Sequence, residues 1–518
     1  MPNLNNIFVH FAPELILTLG ILVVLGYDLV VRGRDGAQAW LAIGTLVLAL
    51  IATLFLWTQP ATSIFEARSV IAPYPELRAG SFVSDGFTNF FRLLGLMATL
   101  LVLMSGIAYM RGRTPFKGEF YALVLAAALA MNLMAGANDL IIIALSIEFL
   151  SITSYILTAY LRDDPLSQEG GLKYFLYGSI TSAAMLYGLT LVYGATGSTS
   201  LPVIAEVTSN SGYMLTSGLT AVLLPGIILI VAGIGFKIAL VPFHQWSPDA
   251  YQGAPTPITA FLSVGPKAAG FAVLLRLMLT AFGASVLSSA WLPALAALAV
   301  LTMIVGNFGA LTQNNVKRMM AYSSIAQAGY MLVGLVALSS GQLTGVNPVG
   351  AVLLYLLAYL FTNLGGFAVI TAVDHATGSS DIAAFNGLIR RSPFLAVSLA
   401  IFFLSLVGIP PLAGFIGKFA VFGAAMASGQ VMIAVIGVLT GVVSVGYYFR
   451  VMKAVFFGPV AEDAEGGAPI RVAPALMFVI PVALLMVFAI GLMPGPFFAM
   501  ANQAAAVVAP VMEAVAGH

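Results

Sequence analysis

The 518-residue chain has no cysteine, four histidines and only 41 charged side chains, 21 Lys and Arg against 20 Asp and Glu. Without cysteine it holds no disulfide scaffold, no iron–sulfur cluster of its own and no thiol chemistry. His10, His244, His375 and His518 are scattered along the chain and match neither haem ligation nor a zinc set. Charged residues make up 8% of the sequence, against ~25% in a soluble domain, too few to cover a soluble body of this size. A net charge of +1 leaves almost nothing with which to grip phosphates, which argues against a nucleic-acid partner. No phosphate loop or dinucleotide fingerprint follows a strand-like segment. The chain is therefore expected to bind no nucleotide, metal or cofactor and to contain no catalytic residue for bond chemistry. What is abundant is apolar: 60% hydrophobic residues, 52 glycines and a mean hydropathy of +1.02. The expected fold is all-α and polytopic in a membrane.

A membrane-crossing helix needs ~20 mainly apolar residues. Fourteen such windows run from 11–31 to 472–493, with the fifth at 140–160, the seventh at 218–242, the eighth at 256–280 and the twelfth at 394–425. No sustained period-two alternation supports a β-barrel. The first window lacks a basic flank and holds Glu14, so it reads as a retained span rather than a cleaved signal peptide. Loops after the odd spans 1, 3, 5, 9, 11 and 13 hold fourteen cations, among them Arg32, Arg111, Arg113, Lys173, Lys317, Arg318, Arg390 and Arg450. The opposite side has two, Arg68 and Arg78. That bias puts those loops in the cytoplasm and both termini on the non-cytoplasmic side of the membrane. The stretch 59–87 and the acidic 458–471 loop (Glu462, Asp463, Glu465) read as solvated loops, and the tail after Pro496 as an interfacial segment.

Two segments read alike. Lys173-Tyr-Phe-Leu-Tyr177-Gly-Ser179-Ile180 and Arg318-Met-Met-Ala-Tyr322-Ser-Ser324-Ile325 each place a basic residue, a Tyr, a small residue, Ser and Ile in the same register at the start of spans 6 and 10. Cutting units of five spans at 4–8 and 9–13 gives spans 7 and 12, both interrupted by proline, equivalent positions. An odd span number makes the copies inverted, an arrangement that points to an ion path near the bilayer midplane. The expected organisation is an N-terminal three-helix segment (1–110), a first repeat (119–280), a second repeat (291–456) and a C-terminal helix with its tail (472–518).

Four ionisable residues lie far from any span end: Glu148, Lys237, Lys267 and Lys418. A charge in hydrocarbon costs several kcal/mol, so these groups are expected to face protein or trapped water. Polar stripes at helical spacing accompany them: Glu148, Ser151 and Tyr155; Thr259, Ser263 and Lys267; Ser323, Gln327 and Tyr330; Tyr355, Tyr359 and Thr362 or Asn363. A lysine in a partly dry site is a group able to bind and release a proton near neutrality, and a nearby carboxylate opposes that release. His244, beyond Pro242, is placed to exchange protons with Lys237. Tyr155, Ser263, Ser323, Gln327, Tyr359 and Asp249 are candidates for the polar path; Asp249, Asp374 and His375 border the membrane as access points. Arg92, Arg276 and Asp139 lie nearer span ends and are expected to snorkel in structural roles.

The run Gly235-Phe-Lys237-Ile-Ala-Leu-Val-Pro242-Phe-His244-Gln-Trp246-Ser-Pro248-Asp249-Ala-Tyr251-Gln-Gly253-Ala-Pro255-Thr-Pro257 resembles the signature of the antiporter-like, proton-pumping membrane subunits of respiratory complex I, NADH–quinone oxidoreductase. Gly408-Ile-Pro410-Pro411-Leu-Ala-Gly414-Phe-Ile-Gly417-Lys418-Phe falls where that family has its second broken helix. The resemblance covers roughly residues 90–495, and the segment Ser263–Arg276 together with 172–194 resembles the subunit N branch. It implies inverted repeats over spans 4–8 and 9–13. It also implies that Glu148 pairs with Lys237, that Lys267 links two half-channels, and that Lys418 serves the second.

The resemblance implies further that flavin and iron–sulfur clusters sit in partner subunits and that this chain moves protons while NADH oxidation and quinone reduction occur elsewhere. Implied partners are the neighbouring antiporter-like subunit, the small membrane subunits and lipid. Two other readings stand beside it: a subunit of a multisubunit cation/proton antiporter or membrane hydrogenase, and a purely structural or assembly subunit.

Overall fold

The computed structural model describes residues 4–31, 36–68, 78–210, 214, 218–340, 347–459 and 469–506. Arg32, Glu462, Asp463, Glu465 and His518 lie outside them. Among the described residues, thirteen helices are long and apolar enough to cross a membrane, and two shorter apolar helices follow one another at Pro393–Val407 and Ala413–Ala427. The window 394–425 is therefore one crossing made of two half-helices, and with it the crossings number fourteen.

Helix α1 (Leu4–His10) leads into α2 (Ala12–Val31) and α3 (Ala37–Leu56). The stretch expected as a solvated loop instead forms an antiparallel hairpin, β1 (Thr62–Arg68) with β2 (Arg78–Ser84), in register from Thr62 opposite Ser84 to Arg68 opposite Arg78. Alternation explains it: Ile64 and Phe82, a cross-strand pair, are both buried. Then come α4 (Gly86–Tyr109), α5 (Lys117–Gly136), α6 (Leu140–Thr158), α7 (Pro165–Thr196), a short α8 (Leu201–Ser209) and α9 (Thr220–Ile238). Because α7 starts at Pro165, Lys173 sits two turns inside the helix rather than at its beginning.

After α9 the chain breaks and resumes as α10 (Trp246–Gly253), followed by α11 (Thr256–Arg276), which ends in a π turn, Leu277–Ala281. The second half comprises α12 (Ser285–Leu311), α13 (Val316–Val336), α14 (Pro348–Thr377), the half-helices α15 (Pro393–Val407) and α16 (Ala413–Ala427), and α17 (Val431–Phe457). The chain closes with α18 (Pro474–Leu492) and α19 (Pro494–Ala505).

Helices α11 and α14 are wholly enclosed, 100% of their apolar windows being buried, whereas α2 is 22% buried and α7 28%. An apolar helix shielded from lipid on every side has room for polar side chains, and Ser263 and Lys267 on α11 and Tyr355, Tyr359 and Asn363 on α14 occupy it. Arg92 and Arg276 do not snorkel. Arg92 is fully buried and donates to both Glu14 carboxylate oxygens at 2.9 Å, with Ser84, Asn89 and the His10 carbonyl taking its remaining donors at 3.0 Å. Arg276 pairs with Asp85 at 3.1 and 3.2 Å. Both partners come from α2 or the hairpin side, elements whose proximity span-by-span reading does not reveal. Asp85 also caps α4, accepting from the Thr88 amide at 2.7 Å. Burial alone would raise the Asp85 carboxyl, but Arg276 and Thr88 outweigh it and hold it below the usual carboxylate range. Asp139 caps α6 through the Ile141 amide at 2.8 Å and takes the Thr199 hydroxyl at 2.6 Å.

Candidate functional site

Two helix breaks set the geometry. α9 ends on Ala239 in the left-handed region, φ 60°, a conformation uncommon for a residue with a Cβ. The freed backbone is satisfied locally: the Trp246 indole donates to the Phe236 carbonyl at 3.0 Å, and the Val241 amide to Thr302 at 3.0 Å. α15 ends on Gly408 at φ 96°, where glycine bears no such strain. Here the exposed carbonyls are taken by a lysine. Lys418, on α16, donates to the Leu406 and Val407 carbonyls at 2.8 and 2.9 Å and lies 4.8 Å from the Tyr330 ring centre.

Lys237 lies in the last turn of α9 and is 1% exposed. Its Nζ donates to Ser151 on α6 at 2.9 Å. Glu148 is one turn before Ser151, and its Oε1 is buried without a hydrogen-bond partner. The expected direct Glu148–Lys237 pair is thus not closed: the described ion pairs, defined at 4.0 Å or less, do not include it. Ser151 holds the lysine instead, and the carboxylate stands beside it on the same face of α6. Tyr155, the next residue of that stripe, has a buried hydroxyl with no partner, its ring edge-on to Tyr174 at 4.7 Å.

Lys267, in the middle of α11, donates to the Ser324 carbonyl on α13 at 2.8 Å. Ser324 also accepts from Tyr359 at 2.9 Å, and its hydroxyl lies 3.4 Å from that of Tyr251. Ser263, one turn before Lys267, accepts from Asn363 on α14 at 2.5 Å. Toward Lys418, Gln327 donates to the Leu406 carbonyl at 3.2 Å and accepts from Tyr355, while Ser323 bonds to Tyr448. Ser324 and Gln327 therefore connect the neighbourhoods of Lys267 and Lys418 through one face of α13. His244 sits in the first break, half-buried, its Nδ1 without a partner.

Asp249 stands apart from this file. It is partly exposed and pairs with Lys173 at 2.7 Å and with Arg318, so the basic residues of the two sequence repeats converge on one carboxylate. Sequence reasoning missed Ser324 as the junction of the path, although the repeat marker contains it, and missed that the α11 stripe begins at Thr256, one turn before Thr259. Among the described residues no group of three or more His, Cys, Asp or Glu is placed to hold a metal ion.

Three lysines in the enclosed interior, none with a carboxylate within 4.0 Å among the described residues, form an arrangement suited to changing charge rather than to fixing it. Comparison with known proteins follows the same lines. The family described as NADH:quinone oxidoreductase/Mrp antiporter, transmembrane, matches residues 137–444. The NADH-quinone oxidoreductase subunit N 2 of Symbiobacterium thermophilum is 40% identical over 511 residues, covering 97% of this chain and 98% of that one. Among solved structures, a chain of respiratory complex I from Thermus thermophilus aligns at 32% identity with a TM-score of 0.75, covering 94% of this chain and 98% of its own. A chain of the membrane-bound sulfane sulfur reductase, an archaeal respiratory membrane complex, aligns at 26% identity with a TM-score of 0.83 over 98% and 99%.

Proposed function

The chain belongs to the NADH:quinone oxidoreductase/Mrp antiporter family of transmembrane subunits, and from that premise we propose how its buried charges work. It is a proton-translocating membrane subunit of NADH–quinone oxidoreductase, a translocase whose redox chemistry lies in other subunits. The antiporter, membrane-hydrogenase and purely structural readings are not needed to account for it.

Glu148, Lys237, Lys267 and Lys418 carry the protons, with His244 serving Lys237 at the first break. The observation that supports this most is the state of the three lysines: buried, held by hydroxyl or carbonyl oxygens, and with no carboxylate within 4.0 Å among the described residues. Such a cation is stabilised by few contacts, so a change of charge nearby shifts its protonation readily. Glu148 supplies that charge to Lys237. Its unpartnered oxygen and the intervening Ser151 give two states, an ammonium drawn to the carboxylate and one released to the serine, and the second favours passing a proton inward to Lys267. Ser263, Ser323, Gln327, Tyr359 and Tyr155 line the route; Asp249 serves at its margin.

In this reading 119–280 and 291–456 are two inverted repeats, flanked by 1–110 and 472–518, and both termini face the periplasm of a bacterial inner membrane. The flavin and iron–sulfur clusters belong to partner subunits, and the neighbours are other membrane subunits and lipid. The test is Lys237→Met and Glu148→Ala in the whole complex. Both are expected to lower NADH-driven proton pumping and quinone reduction while the complex still assembles. Normal pumping in assembled variants would falsify the reading.

A further inference from the structure

Two charged residues outside the central file are buried where α11 begins. Lys317, in the first turn of α13, is 5% exposed and donates from Nζ to the Ala254 carbonyl at 2.7 Å. Asp374, in the last turn of α14, is 7% exposed; its Oδ2 accepts from the Tyr109 hydroxyl at 2.9 Å and from that of Thr256. Ala254 and Thr256 are two residues apart in the α10–α11 junction, so an ammonium and a carboxylate grip the same turn. Among the described residues neither forms an ion pair within 4.0 Å. This separates them from Arg92 and Arg276, whose carboxylate partners are in contact. Four further groups face the cluster: Arg113, stacked on the Tyr109 ring at 3.8 Å; His375 beside Asp374; Asp164, acting on Lys317; and Tyr109 itself.

Both faces of the junction lead to one place. Along α11, Thr256, Thr259, Ser263 and Lys267 recur at intervals of three and four residues, and all are buried. At 1.5 Å of rise per residue, Thr256 and Lys267 are about 16 Å apart. Along α13, Ser324 follows Lys317 by two turns on the same face, and its carbonyl is the acceptor for Lys267. A row of buried polar side chains thus runs from Asp374, near the helix ends that carry Arg113 and His375, toward the central lysine, with the Thr259 and Ser263 hydroxyls bonded to the Tyr251 and Ala260 carbonyls. An apolar junction would pack as well and would spare the cost of burying two charges.

We propose that Asp374 and Lys317 form the proton-loading vestibule of Lys267. Asp374 takes a proton from the aqueous side bearing Arg113 and His375 and releases it inward along the Thr256–Thr259–Ser263 line, each hydroxyl giving up its own proton as it takes one, and an N–H bond forming on the neutral Lys267 amine as the last O–H breaks. Lys317 is a positioning residue: it holds the Ala254 carbonyl and so fixes the turn from which Thr256 meets the Asp374 carboxylate. The proposal rests on the reading of Lys267 as a proton carrier.

The experiment uses the whole complex reconstituted in proteoliposomes, with proton uptake and quinone reduction followed as the pH of the Arg113 side is varied. Asp374→Asn is expected to slow both several-fold at alkaline pH and to recover as that side is acidified, because proton concentration then replaces the lost collecting group; Asp374→Glu retains the wild-type profile. Lys317→Met loosens the turn that brings Thr256 to Asp374, so it is expected to slow uptake at alkaline pH and recover on acidification as Asp374→Asn does, and this variant carries the test if Asp374→Asn fails to assemble. A mere staple between α4, α11 and α14 predicts instead an equal loss at every pH, with Tyr109→Phe as harmful as Asp374→Asn. That result, or unmoved profiles in both Asp374→Asn and Lys317→Met alongside a pumping defect in Lys267→Met, overturns the vestibule and leaves the proposed function standing. Normal pumping in Lys267→Met overturns the function reading itself.

Discussion

The molecule buries its cations in two ways. At the hairpin edge, Arg92 and Arg276 each meet a carboxylate through two guanidinium nitrogens, and neighbouring oxygens take up further donors of both, the Arg276 Nε alone being left without a partner among the described residues. In the enclosed centre, Lys237, Lys267 and Lys418 donate to neutral oxygens, with no carboxylate in contact among the described residues. The difference follows side-chain chemistry. A guanidinium stays charged under all ordinary conditions and its planar fork matches a carboxylate, so an arginine pair is a fixed joint. An ammonium is a point charge that gives up its proton when desolvated, and leaving it without a counter-ion keeps that option open. Under the proposed function, pairing therefore separates the charges that build the fold from those that carry protons, although both kinds are buried.

The largest effect that contrast predicts is at the paired end. Arg92→Ala leaves the Glu14 carboxyl without its partner in a site with no exposure, which costs about 3–5 kcal/mol. The detergent-extracted chain is expected to lose most of its thermal stability, and the double variant Arg92→Met with Glu14→Leu to regain much of it. Equal losses in the single and double variants would mean that packing, not the unpaired charge, matters there. The central lysines are expected to behave in the opposite way. Lys237→Met removes a single hydrogen bond to Ser151, worth roughly 1 kcal/mol, and Lys418→Met leaves the Val407 carbonyl without its donor, roughly 1–3 kcal/mol. Both should assemble and fail to pump. The Leu406 carbonyl keeps its bond from Gln327 in that variant, so the second break is expected to hold.

The Arg276–Asp85 joint adds a pH arm. The folded carboxyl of Asp85 is held below its usual range, so its contribution is complete above about pH 4, the unfolded value, and is lost as pH falls through the lower folded one. Melting temperature measured on the acid side should fall less steeply in Asp85→Asn than in the parent. An identical acid limb would assign the acid sensitivity to other carboxylates.

How far the sequence reveals this depends on the range of each interaction. The spans, the interruptions near Pro242 and Gly408, and the four isolated charges are local patterns of hydropathy and residue type, and all are visible in one dimension. The broken twelfth crossing is legible because proline and glycine act on their own backbone. The hairpin at 62–84 is visible only as a weak alternation, masked by Pro73 and Pro75 between the strands. The partners of Arg92 and Arg276 are not legible at all, since Glu14 lies 78 positions away and Asp85 191, and no spacing rule links them. The site shows the same division. Lys237 and Glu148 are evident as charges in lipid, but that Ser151 holds the lysine depends on how α6 and α9 pack. Lys317 and Asp374 look like ordinary span-end residues until the α10–α11 junction places both against one turn.

The smallest predicted effect tests whether the two breaks differ in strain as they differ in lysine contacts. Ala239 ends α9 at φ 60°, ψ 46°, a region that costs a residue with a Cβ about 1–2 kcal/mol relative to ordinary helix, whereas Gly408 does the same work at φ 96° without that cost. Ala239→Gly removes the strain but adds freedom to the unfolded chain, so a net gain of only a few tenths of a kcal/mol is expected. Gly408→Ala imposes the strain anew and sets the added Cβ 3.0 Å from Lys418 Cδ, so it should destabilise by about 1–2 kcal/mol and disturb the very lysine that closes the break. If the two substitutions change stability alike and Gly408→Ala leaves pumping intact, the breaks are interchangeable hinges and the lysine's hold on the second carries no special weight.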